Sequence, residues 1–129
     1  MKSMTPTVFI VDDDPAVRDS LALLIMSQGL RTVPFPNAIE FLASYRDGEI
    51  GCLVLDIRLP QISGLALQER LQERRLNIPI VFITGHGDVE LAVKAMKQGA
   101  FDFLEKPFKD QRLLDVVSAA LRQHEATLQ

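Results

Sequence analysis

The sequence predicts a single α/β domain, a doubly wound (βα)5 fold in which a five-stranded parallel sheet carries helices on both faces. Its apolar runs are continuous rather than alternating, which is typical of strands that are covered on both sides. Each run is followed by a segment with apolar residues at helical spacing, so that five strands alternate with five helices. No linker, repeat or low-complexity segment interrupts the 129 residues, a length that suits one domain.

Composition argues against several classes of protein. Hydrophobic residues make up 47% and charged residues 24% of the chain, as in a folded globular protein rather than a disordered one. The formal net charge of −3 and the lack of a Lys/Arg cluster argue against direct binding to nucleic acid. The apolar runs are far too short to span a bilayer, so we expect no membrane segment and a cytoplasmic protein. The single cysteine, Cys52, lies within a strand and is predicted to be a buried, inert thiol.

Residues 8–11 form the first predicted strand, which ends at three consecutive aspartates. Pro15 suits the first turn of a helix, and Asp14 is its predicted cap. Gly29 ends this helix. The helix has one apolar face, formed by Val17, Leu21, Leu24 and Ile25.

Residues 31–35 form a short strand that contains Pro34, which suits the edge of a sheet better than its centre. Asn37 caps the next predicted helix, which ends at Asp47–Gly48. An edge position for this strand gives the sheet order 2-1-3-4-5, with the winding reversed between strands 1 and 3. The inner face of the helix is predicted to be Ala38, Phe41, Leu42 and Tyr45.

The third strand covers residues 52–56 and ends abruptly on Asp56, because Pro60 prevents the strand from continuing. A carboxylate therefore lies at the carboxyl end of a buried strand, where open α/β sheets place their ligands. Ser63 opens a helix that runs to about Arg75. Its apolar residues are Leu67 and Leu71.

The fourth strand is predicted at residues 78–84, and a Gly-His-Gly sequence stops it. Asp88 is the predicted cap of the following helix, and Gly99 closes that helix. Four residues of the helix are predicted to face inward, Val89, Ala92, Val93 and Met96.

The fifth strand is predicted at residues 100–105, and Lys106–Pro107 follows it. Asp110 opens the last helix. The two histidines, His86 and His124, have no partner at ligand spacing and are predicted to lie on the surface. The apolar side of the last helix is Leu113, Val116, Val117, Ala120 and Leu121.

The strand ends carry the residues with the most chemical information. Adjacent strands lie about 4.8 Å apart, so Asp12 and Asp13 after strand 1 converge with Asp56 after strand 3. Three neighbouring carboxylates repel one another, and Mg²⁺ is the hard cation that best relieves this with few protein ligands. Strands 4 and 5 bring Thr84 and Lys106 to the same edge. Together these groups can cradle a phosphoryl group while the central aspartate acts as nucleophile, which gives an aspartyl phosphate.

Each of these residues also has an ordinary structural explanation. An aspartate at a strand end is commonly a solvated turn or cap residue. Thr84 can simply end a strand before a glycine, and Lys106 can be an exposed charge. The site is favoured because five such residues are predicted at the same edge of one sheet.

Four motifs resemble the receiver domain of two-component response regulators: VDDDP (11–15), LDIRLPQISG (55–64), ITGHGD (83–88) and FDFLEKPF (101–108). The resemblance covers essentially the whole chain and implies a flavodoxin-like fold. Together with AVKAMKQGA, the last two motifs are most similar to the FixJ-type subgroup, whose members usually carry a C-terminal helix-turn-helix output domain. We therefore expect residues 1–129 to be a receiver domain without an output domain, either an excised half or a stand-alone receiver.

The resemblance implies that Asp56 is the phosphoacceptor. Asp13 and Asp56 would bind Mg²⁺ with the backbone carbonyl of Arg58, and Asp12 would complete the acidic pair. Mn²⁺ and Ca²⁺ are the expected substitutes for Mg²⁺. Asp14 is not part of the pair and is predicted to be a helix cap.

The resemblance also implies that Thr84 binds the phosphoryl group and that Lys106 pairs with it. Phe103 occupies the position of the switch aromatic, although it can also be an ordinary apolar strand residue. The peptide bond between Lys106 and Pro107 is often cis in the family, and the sequence leaves cis and trans open.

Three further residues occupy positions that tune the lifetime of the phosphate. Gly85 would leave the phosphoryl group accessible, whereas Arg58 and His86 act in a direction that the sequence leaves open.

The expected phosphodonor is a sensor histidine kinase that docks near helix 1 and the loop before helix 5. Phosphorylation would change the face formed by helix 4, strand 5 and helix 5, and would favour a homodimer through that face. The expected output is transcriptional, through a C-terminal DNA-binding domain in the full-length protein. The domain would assist its own phosphorylation and dephosphorylation without being an enzyme otherwise.

Other classes fit less well. A haloacid-dehalogenase-type phosphatase needs a second acid two residues after its nucleophile, where this chain has Arg58. A flavodoxin-like cofactor binder needs a Ser/Thr- or Gly-rich loop after strand 1, where this chain has aspartates. A degenerate receiver would lack one of the five site residues. A stand-alone receiver that serves a phosphorelay or protein interactions remains the alternative.

Overall fold

One parallel sheet with strand order β2-β1-β3-β4-β5 forms the centre of the molecule. The computed structural model describes residues 5–85 and 87–128. The strands are β1 (Thr7–Val11), β2 (Arg31–Phe35), β3 (Gly51–Asp56), β4 (Ile80–Thr84) and β5 (Asp102–Glu105). The helices are α1 (Pro15–Met26), α2 (Ala38–Ser44), α3 (Gly64–Glu73), α4 (Val89–Lys97) and α5 (Asp110–Thr127). This order confirms the predicted doubly wound fold, with β2 at one edge.

Two apolar cores lie on opposite faces of the sheet. Side chains of α1 and α5 cover one face, where Ile10, Val54 and Val117 are among the fully buried residues. Side chains of α2, α3 and α4 cover the other face, around Leu67 and Phe82. The strands β1, β3 and β4 are buried on both sides, which explains why their sequences show no polar alternation.

Capping side chains begin three helices where the sequence predicted them. Asp14 accepts a hydrogen bond from the backbone N–H two residues later. Asn37 and Ser63 each accept one from the backbone N–H three residues later. Cys52 is buried, as predicted, and burial raises the pKa of its thiol to about 12.

The predicted bounds of three elements need correction. β4 begins at Ile80 rather than at residue 78, because Pro79 has no N–H to donate to the sheet. β5 begins at Asp102 rather than at Ala100, whose N–H closes the end of α4 by donating to Ala95. α2 ends at Ser44 rather than at Asp47–Gly48, since the extended backbone that follows turns the Tyr45 ring into the core.

That ring belongs to an aromatic cluster that fixes α2 against the edge of the sheet. The ring centroids of Phe9 and Phe41 both lie within 5.3 Å of that of Tyr45. The ring centroid of Phe35, the last residue of β2, lies 6.5 Å from that of Phe9 and 5.6 Å from that of Phe41. Phe41 is fully buried, which places the inner face of α2 as predicted.

The inner face of α4 differs from the prediction. Ala92 and Ala95 are fully buried, whereas Val89, Val93 and Met96 are 45%, 44% and 37% exposed. The helix turns Ala92 and Ala95 toward the sheet, with Leu91 partly buried against the core, and leaves its other large apolar residues outside. Ala92 was predicted correctly, but the inward positions of the other three were wrong.

The prediction that His124 lies on the surface was wrong. His124 is only 2% exposed, and its Nδ1 accepts a hydrogen bond of 2.9 Å from the backbone N–H of Gly51. The last turn of α5 is thereby tied to the first residue of β3. The other histidine, His86, lies outside the described residues. Among the described helices, none is both long and apolar enough to cross a membrane.

Candidate functional site

Three carboxylates meet at the carboxyl edge of the sheet. Asp12 and Asp13 directly follow β1, and Asp56 is the last residue of β3. Because these strands are neighbours in register, with Val11 opposite Leu55, their ends lie side by side. One carboxylate oxygen of each aspartate lies within 4.8 Å of the others. The convergence predicted from the strand ends is therefore present.

Asp12 is the most deeply buried of the three, with 2% of its surface exposed. Its Oδ1 accepts a hydrogen bond of 2.9 Å from the backbone N–H of Asp14. Within the described part of the chain, its Oδ2 has no hydrogen-bond partner. Burial raises the pKa of this carboxyl group. A buried carboxylate oxygen without a partner is costly, and a bound cation would satisfy it.

Asp56 is half-buried and is held in position by the loop that follows it. Its Oδ1 accepts a hydrogen bond of 3.0 Å from the backbone N–H of Arg58. Burial raises the pKa of Asp56 to about 6, and the negative charges of Asp12 and Asp13 act in the same direction. The Arg58 N–H and the positive charge of Lys106 oppose this rise. The carboxylate is therefore more basic than usual and still mostly ionised at neutral pH.

The three carboxylates form an oxygen-only set that suits a small hard cation. They supply few protein ligands, which leaves coordination positions for water or for phosphate oxygens. Mg²⁺ prefers such incomplete protein sites. The cluster of Asp12, Asp13 and Asp56 thus fits the cation that the sequence predicted.

Thr84 and Lys106 lie at the ends of the next two strands. Thr84 is fully buried, and its hydroxyl donates a hydrogen bond of 3.4 Å to the carbonyl of Leu104. The backbone N–H of Lys106 donates to the carbonyl of Thr84 at 2.9 Å. The positive charge of Lys106 opposes the rise that burial causes in the pKa of both Asp12 and Asp56. The peptide bond between Lys106 and Pro107 is cis.

Phe103 lies on the same face of the sheet as Thr84. It pairs with Phe82 on β4, and both side chains pack in the core on the face that α2, α3 and α4 cover. Side chains alternate along a strand, so Thr84, two residues after Phe82, points to that face as well. Phe103 is half-buried there. The assigned roles of Thr84 and Phe103 remain predictions.

Two loops at this edge are joined by an ion pair that the sequence analysis did not find. The guanidinium of Arg58 binds the carboxylate of Asp88 at 2.7 Å. Asp88 was predicted to cap α4, but its side chain makes no capping hydrogen bond. The two residues are 30 positions apart on different loops, and no local sequence pattern reports such a pairing.

The remaining tuning residues have different outcomes. A Cβ atom on Gly85 would come no closer than 3.7 Å to a neighbouring atom, the Oδ2 of Asp88. This distance is an ordinary van der Waals contact, and the tuning role of Gly85 stays a prediction. His86 lies outside the described residues.

Comparisons with known proteins agree with this geometry. Residues 8–118 match the model of the response regulator receiver domain. Nodulation protein W of Bradyrhizobium diazoefficiens is 54% identical over 113 residues, which cover 88% of this chain and 50% of that protein. The transcriptional regulatory protein FixJ of the same organism is 46% identical over 118 residues, or 92% of this chain and 58% of FixJ. The chain thus spans about half the length of the curated relatives that it matches.

Solved structures show the same fold. The crystal structure of FixJ-N has a TM-score of 0.85 at 43% identity and covers 95% of this chain and 96% of its own. The response regulator StyR has a TM-score of 0.90 at 48% identity, over 95% of this chain and 62% of that chain. With the family model, these matches confirm the resemblance and the subgroup. The chain belongs to the family of response regulator receiver domains, and its close relatives are response regulators of the FixJ type.

Proposed function

We propose that residues 1–129 form a phosphorylation-activated switch that receives a phosphoryl group on Asp56 from a sensor histidine kinase. The observation that carries the proposal is the convergence of three carboxylate oxygens within 4.8 Å at one edge of the sheet. The central carboxylate is half-buried, and a backbone N–H fixes one of its oxygens. Such an arrangement suits a nucleophile that must approach a phosphorus atom in line.

The transfer forms one bond and breaks one. A carboxylate oxygen of Asp56 attacks phosphorus as the bond between phosphorus and the kinase imidazole breaks, and the imidazole nitrogen keeps the electron pair. The product is an acyl phosphate on Asp56. In the metal-free cluster, Asp56 has a pKa of about 6 and is therefore mostly ionised at neutral pH.

Asp12, Asp13 and Asp56 would hold Mg²⁺, together with the backbone carbonyl of Arg58. When bound, the ion neutralises charge on the phosphoryl oxygens. Mn²⁺ or Ca²⁺ would substitute. The buried, unpartnered Oδ2 of Asp12 supports this assignment, among the residues that the structure describes.

Phosphorylation of Asp56 would change the conformation of the domain through Thr84, Lys106 and Phe103. The Thr84 hydroxyl now donates to the carbonyl of Leu104, so it must leave that partner to bind a phosphoryl oxygen. Its departure would free space on the face of the sheet that Phe103 shares. Lys106 would pair with the phosphoryl group and hold the new state.

The face formed by α4, β5 and α5 is the proposed output surface. Its exposed apolar residues, Val93 and Met96, are accompanied by charges of both signs. Such a surface suits an isologous contact between two copies. The charged residues that we assign to this face are Glu90, Lys94, Lys97, Asp102, Lys109 and Arg112.

The proposed full-length protein is a cytoplasmic transcriptional regulator. FixJ is named a transcriptional regulatory protein, and this chain corresponds to about half of its length. We propose that a C-terminal DNA-binding domain accompanies the receiver and that the receiver itself binds neither nucleic acid nor membrane. A stand-alone receiver in a phosphorelay is the second candidate, and Asp56 has the same role in both.

Phosphorylation by a small donor tests the assignment of Asp56. In acetyl phosphate and Mg²⁺, we expect intact-mass analysis to show one added phosphate on the wild-type chain and none on Asp56→Asn. Chelation of Mg²⁺ should reduce labelling of the wild-type chain by about tenfold or more.

Asp14→Asn is the matched control. Asp14 neighbours the cluster, but its side chain caps α1, and asparagine caps equally well. This variant should label at the wild-type rate. Labelling of Asp56→Asn at the wild-type rate would show that another residue accepts the phosphate.

A further inference from the structure

The ion pair between Arg58 and Asp88 has the geometry of a specific contact. The Arg58 Nε donates to both carboxylate oxygens of Asp88 at 2.9 Å, and Nη2 donates to Oδ1 at 2.7 Å. The fork of the guanidinium therefore faces the carboxylate directly. Among the described residues there is one other salt bridge, between Arg112 and Asp102, and its distance is 3.5 Å.

This pair connects the two loops that border the acidic cluster. Through its backbone N–H, Arg58 also holds the Oδ1 of Asp56. Asp88 directly precedes α4, and its own N–H donates to the carbonyl of Gly85, the residue after Thr84, at 3.2 Å. A continuous set of contacts thus runs from the Asp56 carboxylate through Arg58 to the start of α4.

Asp88 has a second potential partner that it does not use. It occupies the N-cap position of α4, yet its carboxylate makes no capping hydrogen bond. The first N–H groups of a helix lack intrahelical acceptors, and an aspartate at this position is among the best caps. Its carboxylate can either pair with Arg58 or accept hydrogen bonds from the first N–H groups of α4. In this structure it pairs with Arg58.

The opposite end of α4 is held by α3. The side-chain amide of Gln68, which is 1% exposed, donates a hydrogen bond of 3.0 Å to the carbonyl of Ala95. The side-chain amide of Gln72 donates to the carbonyl of Gln98. These bonds fix the C-terminal turn of α4, so a displacement of the helix is easiest at its N-terminal end, beside Asp88.

We propose that Asp88 is a positioning residue of the phosphorylation site, whose ion pair with Arg58 holds the loop after Thr84 and the start of α4 in the unphosphorylated conformation. A phosphoryl dianion on Asp56, two residues from Arg58, attracts the same guanidinium. The Arg58 side chain is 71% exposed and can turn toward it, whereas the Asp88 side chain is only 10% exposed. Release of Arg58 leaves Asp88 to cap α4. This inference rests on the proposed function.

Binding of beryllofluoride, a phosphoryl mimic, measures the effect of the pair. Each variant that weakens the ion pair should bind BeF₃⁻ more tightly in Mg²⁺, because less free energy is needed to break the pair when BeF₃⁻ binds. We expect Asp88→Asn to bind BeF₃⁻ about two- to fivefold more tightly, as for the loss of one solvent-accessible ion pair. Arg58→Lys keeps the charge but loses the fork, and should show a smaller gain. The double variant should match Asp88→Asn alone.

The amide chemical shifts of α4 report on its conformation, and a change in stability alone would leave them unchanged. Without BeF₃⁻, the amides of Val93 and Lys94 in Asp88→Asn should shift along the line from the free to the BeF₃⁻-bound wild-type positions. Asp115→Asn removes one exposed carboxylate of α5 that bonds Gln111, and should leave affinity and shifts unchanged.

Three results would overturn the inference: wild-type affinity in Asp88→Asn, weaker binding in that variant, or additive gains in the double variant. In each case the wild-type chain still binds BeF₃⁻, so the proposed function stands. Failure of the wild-type chain to bind BeF₃⁻ in Mg²⁺ would instead overturn the proposed function, and this inference with it.

Discussion

Asp56 and Asp12 are carboxyl groups that the fold partly removes from water, and burial is the main reason that both pKa values are raised. A carboxyl group with a raised pKa favours the folded state only while it is protonated. For Asp56 this contribution is complete below its ordinary pKa of 3.8 and is lost as the pH rises through about 6. At neutral pH the metal-free cluster therefore costs folding free energy.

Neutralising Asp56 should stabilise the metal-free protein. We expect Asp56→Asn to raise the free energy of unfolding at pH 7.5 by about 1–2 kcal/mol, after allowance for the partial exposure of the side chain. Urea unfolding in a chelator, followed by circular dichroism, measures this difference.

Two controls separate this effect from general changes in packing. The difference should shrink toward pH 4, where the native carboxyl group is already protonated. Mg²⁺ should stabilise the wild-type chain more than Asp56→Asn, because the variant lacks one ligand. A variant that is less stable than the wild-type chain in a chelator would show that the cluster carries no repulsion.

The residues of the acidic cluster were predictable because strand ends fix their positions. A parallel sheet brings the carboxyl ends of its strands to one edge, so the positions of Asp12, Asp13 and Asp56 follow from strand order. The role of Asp88 was not predictable in this way. Its partner Arg58 is reached across two loops, and a helix cap was the better local explanation of its sequence position.

The elements differ in how well their sequences define them. All five strands were predicted. The strands β1, β3 and β4 are buried on both faces, so no inner face had to be chosen for them, whereas β2 and β5 are more exposed. Helix α4 was found, but its orientation was not, because periodicity favours bulky residues such as Val93 on the inside. Ala92 and Ala95 face the sheet instead, and the sequence of one helix does not report how closely that helix approaches its neighbours.

Helix α5 and strand β3 are linked by a titratable contact. Burial lowers the pKa of His124, and its Nδ1 must be unprotonated to accept from the N–H of Gly51. The negative charge of Asp47 opposes this shift. A histidine with a lowered pKa stabilises the fold above its ordinary pKa of 6.5, and this contribution is lost as the pH falls below that value.

Replacement of His124 tests this link between the two elements. His124→Leu leaves the buried N–H of Gly51 without an acceptor and should lower the free energy of unfolding at pH 7.5 by about 1–3 kcal/mol. The difference from the wild-type chain should narrow as the pH falls from 7.5 to 5. Titration of Asp56 has the opposite sign and is common to both proteins, so it cancels in the comparison. A difference independent of pH would mean that His124 contributes packing alone.

In the whole molecule, the proposed phosphorylation site and the proposed output surface lie at different places. The acidic cluster lies at one edge of the sheet, whereas the face of α4, β5 and α5 lies along the side. Val89, Val93 and Met96 of α4 are exposed, and the proposed dimer would cover apolar side chains of this helix.

Dimerisation through this face should depend on the phosphoryl mimic. We expect sedimentation to show a monomer for the free chain and a doubled mass with Mg²⁺ and BeF₃⁻. Val93→Glu should weaken the dimer by about tenfold or more, because it places an unpaired charge in the contact.

Leu23→Glu provides the matched control for this experiment. Leu23 is 67% exposed on α1, so the same substitution there adds the same charge to a different surface. This variant should dimerise like the wild-type chain. An unchanged mass for the loaded wild-type chain would contradict the proposed dimer while leaving the assignment of Asp56 intact.

Gly64, the first residue of α3, lies directly against the end of β3. A Cβ atom there would lie 2.7 Å from the carbonyl oxygen of Asp56 and 2.9 Å from the Cα of Ile57. A side chain here would push the start of α3 away from the end of β3, and the Asp56 carboxylate would move away from Asp12 and Asp13. We therefore expect that a relative with a bulkier residue at this position would not be phosphorylated, even if it kept all three aspartates.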